Sequence, residues 1–264
     1  MDLFVGSSLV DIYAKCGLLI DAKRIFEMMV SHKTVSWSSL IAAYTEHGLA
    51  EDALDCFRRM EDQRLSRDEV TFVSVVKSCG LLQVREKTFE VCHEIIVRGY
   101  DRGRIIANSV VDMYAKCGMI AEAYKVFDKL PHRDVVTWTS VMLGFVQSGE
   151  AHNAINLYEK MCEIGLHPSK HTLVTLLKAC TQLKNLQIGQ EINDCIVQRG
   201  LDMDLFVGSS LVDIYAKCGL LIDAKRIFEM MVSHNTVSWS SLIAAYTEHG
   251  PAEDALDFFR RMED

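Results

Sequence analysis

Cysteine and histidine are the residues of this 264-residue chain best suited to hold a metal or carry nucleophilic chemistry, and it has nine of each. Their spacing does not fit those uses. There is no Cys-x-x-Cys pair, and Cys16, Cys117 and Cys218 stand 101 residues apart, as do Cys79 and Cys180. Residues that follow a long period belong to a repeated unit and not to one site, so the cysteines read as small buried thiols in a reducing compartment. His167 and His171 are four apart, but Pro168 lies between them and no cysteine or acidic cluster completes a ligand set. No His-x-Glu followed by Pro-Cys-x-x-Cys is present, and no glycine-rich phosphate loop or Gly-x-Ser-x-Gly elbow. Neither a catalytic residue nor a metal or cofactor is expected, so the chain does not read as an enzyme.

The 101-residue period organises everything else. Tyr13-Ala14-Lys15-Cys16-Gly17 recurs as Tyr114 to Gly118 and as Tyr215 to Gly219, and Trp37, Trp138 and Trp239 keep the same step. Each period divides into units of 31, 35 and 35 residues: 3–33, 34–68 and 69–103, then 104–134, 135–169 and 170–204, then 205–235 and the cut-off 236–264. Apolar residues in each unit fall at helical spacing. Val5, Leu9, Ile12, Tyr13 and Cys16 stripe one helix, which Gly17 is expected to stop in a left-handed cap; Ala22, Ile25, Phe26 and Met29 stripe a second. The Trp-bearing unit repeats the pattern through Trp37, Leu40, Ile41 and Tyr44 to Gly48. The third unit does so through Phe72, Val75, Val76 and Cys79 to Gly80, followed by Phe89, Cys92 and Ile96. Strand signals are absent. A helix pair cannot bury its stripe alone, so the pairs must stack into an all-α solenoid of helix-turn-helix repeats in one array, 1–264.

Composition agrees. Hydrophobic residues make up 49% and there are only three prolines. The net charge of −8 argues against indiscriminate coating of nucleic acid and leaves room for a local basic groove. No apolar run approaches the ~18 residues that would cross a membrane, and the first residues do not read as a signal or transit peptide. The pattern begins and ends within repeats, as expected of an excerpt. Residues 1–62 and 203–264 differ only at Lys33/Asn235, Leu49/Pro251 and Cys56/Phe258, which reads as a recent duplication or an assembly artefact.

Cut this way, the chain resembles the pentatricopeptide repeat family, in its plant class of alternating P, L and S motifs. The resemblance covers essentially the whole chain. It is carried by Ser-Leu-Val-Asp-Ile-Tyr-Ala-Lys-Cys-Gly (Ser8 to Gly17) in the short S units, Val-Ser-Trp-Ser-Ser-Leu-Ile (Val35 to Ile41) in the P units and Leu-Leu-Lys-Ala-Cys (Leu176 to Cys180) in the L units. It implies a right-handed superhelical α-solenoid that binds single-stranded RNA in mitochondria or chloroplasts, about one base per repeat. Here the targeting peptide is not part of the sequence.

The family selects a base with the fifth and last residues of a motif. Carried over, these are Ser7 with Lys33; Ser38 with Asp68, resembling a guanine pair; Val73 with Gly103; Asn108 with Asp134, resembling a uracil pair; Thr139 with Ser169, leaning to adenine; Val174 with Asp204; Ser209 with Asn235, resembling an adenine pair; and Ser240, whose partner lies beyond the chain. The implied RNA is N-G-N-U-A-N-A-N. Second positions, which the family packs against bases, hold Phe4, Val35, Val70, Ile105, Val136, His171, Phe206 and Val237. Lys15, Lys116 and Lys217 stand where the family contacts phosphate, while the P units carry Glu46, Gln147 and Glu248 there. Modest affinity and a shallow salt dependence are expected.

Without the resemblance, the same residues have ordinary uses. Ser38, Thr139 and Ser240, early in helices, read as caps, and so do Asp68, Asp134 and Asp204 just ahead of them. The lysines read as surface charge, and the tryptophans as core or an inter-repeat seam. The family reading implies site choice for C-to-U RNA editing, with multiple organellar RNA editing factors or a recruited deaminase as partners. The alternative is an α-solenoid protein–protein interaction scaffold. A basic groove would favour RNA; an apolar or acidic one would favour peptide.

Overall fold

A computed structural model describes residues 3–100, 103–201 and 204–263. The described residues form helices and connecting turns, with no strand among them. The helices are α1 (Leu3–Lys15), α2 (Leu19–Met28), α3 (Thr34–Glu46), α4 (Ala50–Asp62), α5 (Glu69–Leu82), α6 (Arg85–Val97), α7 (Arg104–Lys116) and α8 (Ile120–Lys129). They continue with α9 (Val135–Gln147), α10 (Ala151–Glu163), α11 (Lys170–Leu183), α12 (Leu186–Gln198), α13 (Leu205–Lys217), α14 (Leu221–Met230), α15 (Thr236–His249) and α16 (Ala252–Glu263). The odd-numbered helices open the pairs, and their first residues stand 31, 35 and 35 residues apart in turn.

The chain forms two compact units, Met1–Arg133 and Asp134–Asp264. In the first, α1, α3, α5 and α7 pack side by side in chain order, and α2, α4 and α6 each pack on their own partner and on the next odd helix. The second unit repeats this with α9, α11, α13 and α15, and with α10, α12 and α14. An inner odd helix thus has neighbours on several sides. Small hydroxyl residues suit such crowding: Ser38 and Ser74 are buried and donate to carbonyls of their own helices, at 3.0 Å in each case. Thr45 Oγ1 also reaches Ser78 Oγ on the next odd helix, at 2.9 Å.

Trp37 and Trp239 occupy seams between pairs. Phe26 closes α2, stacks on His32 at 4.0 Å and meets the edge of Trp37 at 4.5 Å. Phe228, His234 and Trp239 repeat the arrangement at 3.9 and 4.6 Å. Burial lowers the pKa of His32 and His234 below the usual 6.5, and the guanidinium groups of Arg59 and Arg261 lower them further.

Several local expectations are corrected. Gly17 and Gly48 are left-handed as expected, with φ of 75° and 74°. Gly80 does not end its helix: α5 continues to Leu82 and the left-handed residue is Gln83, φ 55°. A Cβ on Gly80 would sit 3.4 Å from the Met113 backbone, so this glycine serves the close approach of α7. In α6 the buried side is Thr88, Val91, Cys92 and Ile95, and Phe89 and Ile96 are exposed. Cys16 is exposed and Cys218 half-buried, while Cys117 is buried. Leu49 and Pro251 separate two otherwise matching turns. Gly48 is left-handed, but Gly250, held before a proline, is extended with ψ −175°, and α15 runs on to His249.

Two stability outcomes follow. Phe57 is 1% exposed, whereas its counterpart Phe259 is 43% exposed. Phe57→Ala should cost about 3–5 kcal/mol in urea denaturation and Phe259→Ala about 1 kcal/mol or less; equal costs would refute stacking as the source of that burial. His32 and His234 stabilise the fold while neutral, and that contribution is complete above pH 6.5 and lost as pH falls below it toward their depressed folded values. The melting temperature should therefore drop as pH falls from about 6.5 to 5.5, and less so in the His32→Gln, His234→Gln double variant.

Candidate nucleic-acid interface

The residue before each odd helix is also the last residue of the preceding expected unit. Lys33, Asp68, Gly103, Asp134, Ser169, Asp204 and Asn235 therefore stand at the N-caps of α3, α5, α7, α9, α11, α13 and α15. Asp68 accepts the Thr71 amide at 2.9 Å, and Asp134 accepts the Thr137 amide at 2.9 Å. Ser169 Oγ accepts the Thr172 amide at 3.2 Å, and Asn235 Oδ1 the Ser238 amide at 2.9 Å. Lys33 and Gly103 make no side-chain cap. The capping role expected of the aspartates is thus filled.

The fifth-position residues do not cap. Ser38, Thr139 and Ser209 lie a turn into their helices and donate to carbonyls one turn earlier, and the exposed Ser240 donates to Val237. Ser7 is buried, and Val73, Asn108 and Val174 are half-buried.

Three of the expected pairs come together. Ser38 and Asp68 line one groove of about 350 Å³ between α1, α3 and α5, with Val35, Val70 and Lys15 in the same lining. Ser209 Oγ lies 2.9 Å from Asn235 Oδ1. Thr139 and Ser169 meet through a third residue, since Thr172 Oγ1 is 2.7 Å from Thr139 Oγ1 and 2.9 Å from Ser169 Oγ. Val174 and Asp204 differ: Asp204 Oδ2 is engaged by Lys170 Nζ at 3.0 Å and Oδ1 by the amides of Phe206 and Val207. Burial alone would raise the Asp204 pKa, but the Lys170 ammonium and those amides together lower it.

All the second-position residues are exposed. Phe4, Val35, Val70, Ile105, Val136, Phe206 and Val237 stand out as exposed apolar side chains at the starts of odd helices, and His171 is exposed with them. The three lysines are each tethered four residues back, Lys15 to Asp11 at 2.6 Å, Lys116 to Asp112 at 2.7 Å and Lys217 to Asp213 at 3.0 Å. Asp11 also accepts from Ser39 and Asp213 from Ser241, at 2.8 and 2.7 Å, which joins successive odd helices.

Two profiles described as PPR repeat family and PPR repeat match the chain. The first covers residues 32–80 and 133–182, the second 7–33, 105–135, 209–236 and 237–264. A chloroplastic pentatricopeptide repeat-containing protein of Arabidopsis thaliana is 36% identical over 262 residues, 99% of this chain and 42% of the relative. The chain belongs to the pentatricopeptide repeat family. A mitochondrial member from the same plant is 34% identical over all of this chain and 41% of its own length, so the chain spans about two fifths of these relatives. The crystal structure of the pentatricopeptide repeat protein PPR10 in complex with an 18-nt psaJ RNA element superposes with a TM-score of 0.84. At 15% identity, over 98% of this chain and 40% of PPR10, it shares the α-solenoid fold. Among the described residues no group of three or more His, Cys, Asp or Glu could hold a metal ion, and no helix is long and apolar enough to cross a membrane.

The sequence reading missed the Ser or Thr three residues after a capping last residue, and the partners of the lysines. Asp68-x-x-Thr71, Asp134-x-x-Thr137, Ser169-x-x-Thr172 and Asn235-x-x-Ser238 are capping-box spacings that could have exposed the first.

Replacing Asp68 by alanine should cost about 1 kcal/mol in urea denaturation, against less than about 0.5 kcal/mol for Lys33→Ala. Equal effects would contradict the cap assignment.

Proposed function

We propose that this chain is a sequence-selective module for single-stranded RNA, reading about one base per repeat, from an organellar RNA-processing factor of the class with alternating P, L and S motifs. The observation that carries this reading is the groove holding Ser38 and Asp68 together with the exposed Val35 and Val70. A polar pair can meet a base edge there while apolar side chains meet the base faces. Similar pairs recur at Thr139 with Ser169, three units on, and at Ser209 with Asn235, two units beyond that. The fold shared with RNA-bound PPR10 supports the same reading.

The unit boundaries 3–33, 34–68, 69–103, 104–134, 135–169, 170–204, 205–235 and 236–264 set the register, and N-G-N-U-A-N-A-N is the RNA assigned to it. The task we assign is site choice for C-to-U editing. Multiple organellar RNA editing factors or a recruited deaminase would then be the partners, and the deaminase would supply the chemistry. The chloroplastic and mitochondrial relatives support an organellar setting.

A second reading has one observation in its favour. The same groove is lined by Asp11, Glu46 and Asp68, and its lysine, Lys15, is tethered to Asp11. That balance suits a basic peptide and the interaction-scaffold alternative.

A gel-shift titration at two salt concentrations separates the readings. The chain should prefer RNA with G, U, A and A at the assigned steps over a scrambled RNA and over the same sequence as DNA, with a shallow salt slope. Equal, weak binding to all three would sink the RNA reading and favour the scaffold.

A further inference from the structure

The last residue of a motif has two duties in this structure: it would face a base, and it caps the next helix. A helix N-terminus offers only N–H donors, so it always draws an acceptor atom inward. The atom left outward then depends on the residue type. Asp68 spends Oδ1 on two donors of Thr71, the amide at 2.9 Å and the hydroxyl at 2.6 Å, and Oδ2 makes no hydrogen bond among the described residues. Asp134 Oδ1 is held in the same way by the Thr137 amide and hydroxyl, at 2.9 and 2.7 Å. Asn235 turns Oδ1 to the Ser238 amide at 2.9 Å, while its own backbone N–H donates to Ser238 Oγ at 3.1 Å. Its Nδ2 is the atom left outward.

The hydroxyls that complete these caps are deeply buried. Thr71, Thr172 and Ser238 are 0% exposed and Thr137 is 1% exposed. Burial keeps them from water and from any ligand, so they can act only through the cap.

We propose that Thr71, Thr172 and Ser238 are specificity-positioning residues. The Thr71 hydroxyl and amide lock the inward oxygen of Asp68, and Ser238 pins the Asn235 backbone with its hydroxyl while its amide holds Oδ1, so that aspartate presents an acceptor to the base and asparagine presents a donor. Guanine and uracil carry a ring N–H on their pairing edge, which meets an acceptor; adenine and cytosine carry a bare ring nitrogen, which meets a donor. In the Ser169 cap, Thr172 touches both members of the Thr139/Ser169 pair and aligns them with each other.

The junction that lacks the hydroxyl behaves differently. Val207 stands at that place after Asp204, and the carboxylate has one oxygen on the Phe206 and Val207 amides and the other on Lys170. Both oxygens of Asp204 are engaged within the protein, the second by an ammonium that competes with a base, so this pair is expected to be silent.

The inference rests on the RNA reading above, and the test separates the two. Binding of the full chain is measured by fluorescence anisotropy to RNAs that differ only in G or A at the step assigned to Ser38 and Asp68. Asp68→Asn should invert the preference; if it leaves the preference unchanged, the RNA reading itself fails. Thr71→Val keeps the side-chain volume and the amide cap but removes the hydroxyl. It should cut the G-over-A ratio roughly five- to tenfold, while Thr71→Ser retains it and Asp204→Asn changes no preference at its own step. If Asp68→Asn inverts the preference and Thr71→Val leaves the ratio intact, the proposal is overturned and the RNA reading stands. Thr172→Val, measured with A against G at the step of Thr139 and Ser169, gives the same decision if Thr71→Val loses its helical circular dichroism.

Discussion

Each helix pair is completed by the apolar surface of its neighbour, and the rest of the structure depends on that. The segment Leu-Phe-Val-Gly-Ser-Ser-Leu-Val-Asp-Ile-Tyr-Ala-Lys occurs as both α1 and α13. In α13, packed against α11 and α12, Val207 and Ile214 are buried; in α1, Val5 and Ile12 are mostly exposed. Same residues, same helix, different burial: the difference lies in the helices α11 and α12 that pack against α13. Stability in such a stack resides in the interfaces as much as in the units. The small residues along the odd helices, Gly80 against Met113 and the inward serines and threonines, let those interfaces close while their hydroxyls stay satisfied by their own helices.

This dependence explains what could be read from the sequence and what could not. A fixed period with apolar residues at helical spacing places helix pairs, and Gly17 and Gly48 stop their helices as expected. Periodicity names a stripe but not the neighbour that covers it, so Phe89 and Ile96 were placed on a stripe that the structure leaves exposed. Gly80, expected to end its helix, does not do so for a physical reason. A glycine can mark a left-handed turn or a close approach of two backbones, and only the packing of α7 on α5 distinguishes them.

The geometry of the expected pairs was legible in part, and their bonding partners were not. The resemblance located the pairs Ser38 with Asp68 and Ser209 with Asn235, which the fold brings into one groove or within hydrogen-bonding distance. It said nothing about Thr71 or Ser238, because a hydroxyl residue within a helix carries no distinctive signal until its cap is seen. Capping was expected of Ser38 and Thr139, whose hydroxyls fold back onto carbonyls one turn earlier. The lysines look like free cations in sequence, yet Asp11, Asp112 and Asp213 hold them one turn away.

The shared duty of the capping residue bears on how such a protein can change over generations. Aspartate and asparagine cap helices about equally well and have nearly the same shape. On the reading proposed here, exchanging one for the other at position 68 or 235 would retune the target while leaving the helix start as stable as before. Lys33 and Asn235, which differ between two otherwise near-identical segments, show that this junction tolerates replacement outright: α3 starts without a side-chain cap where α15 has a full capping box. Recognition can therefore drift in single, nearly neutral steps, one repeat at a time, without risking the scaffold that carries it.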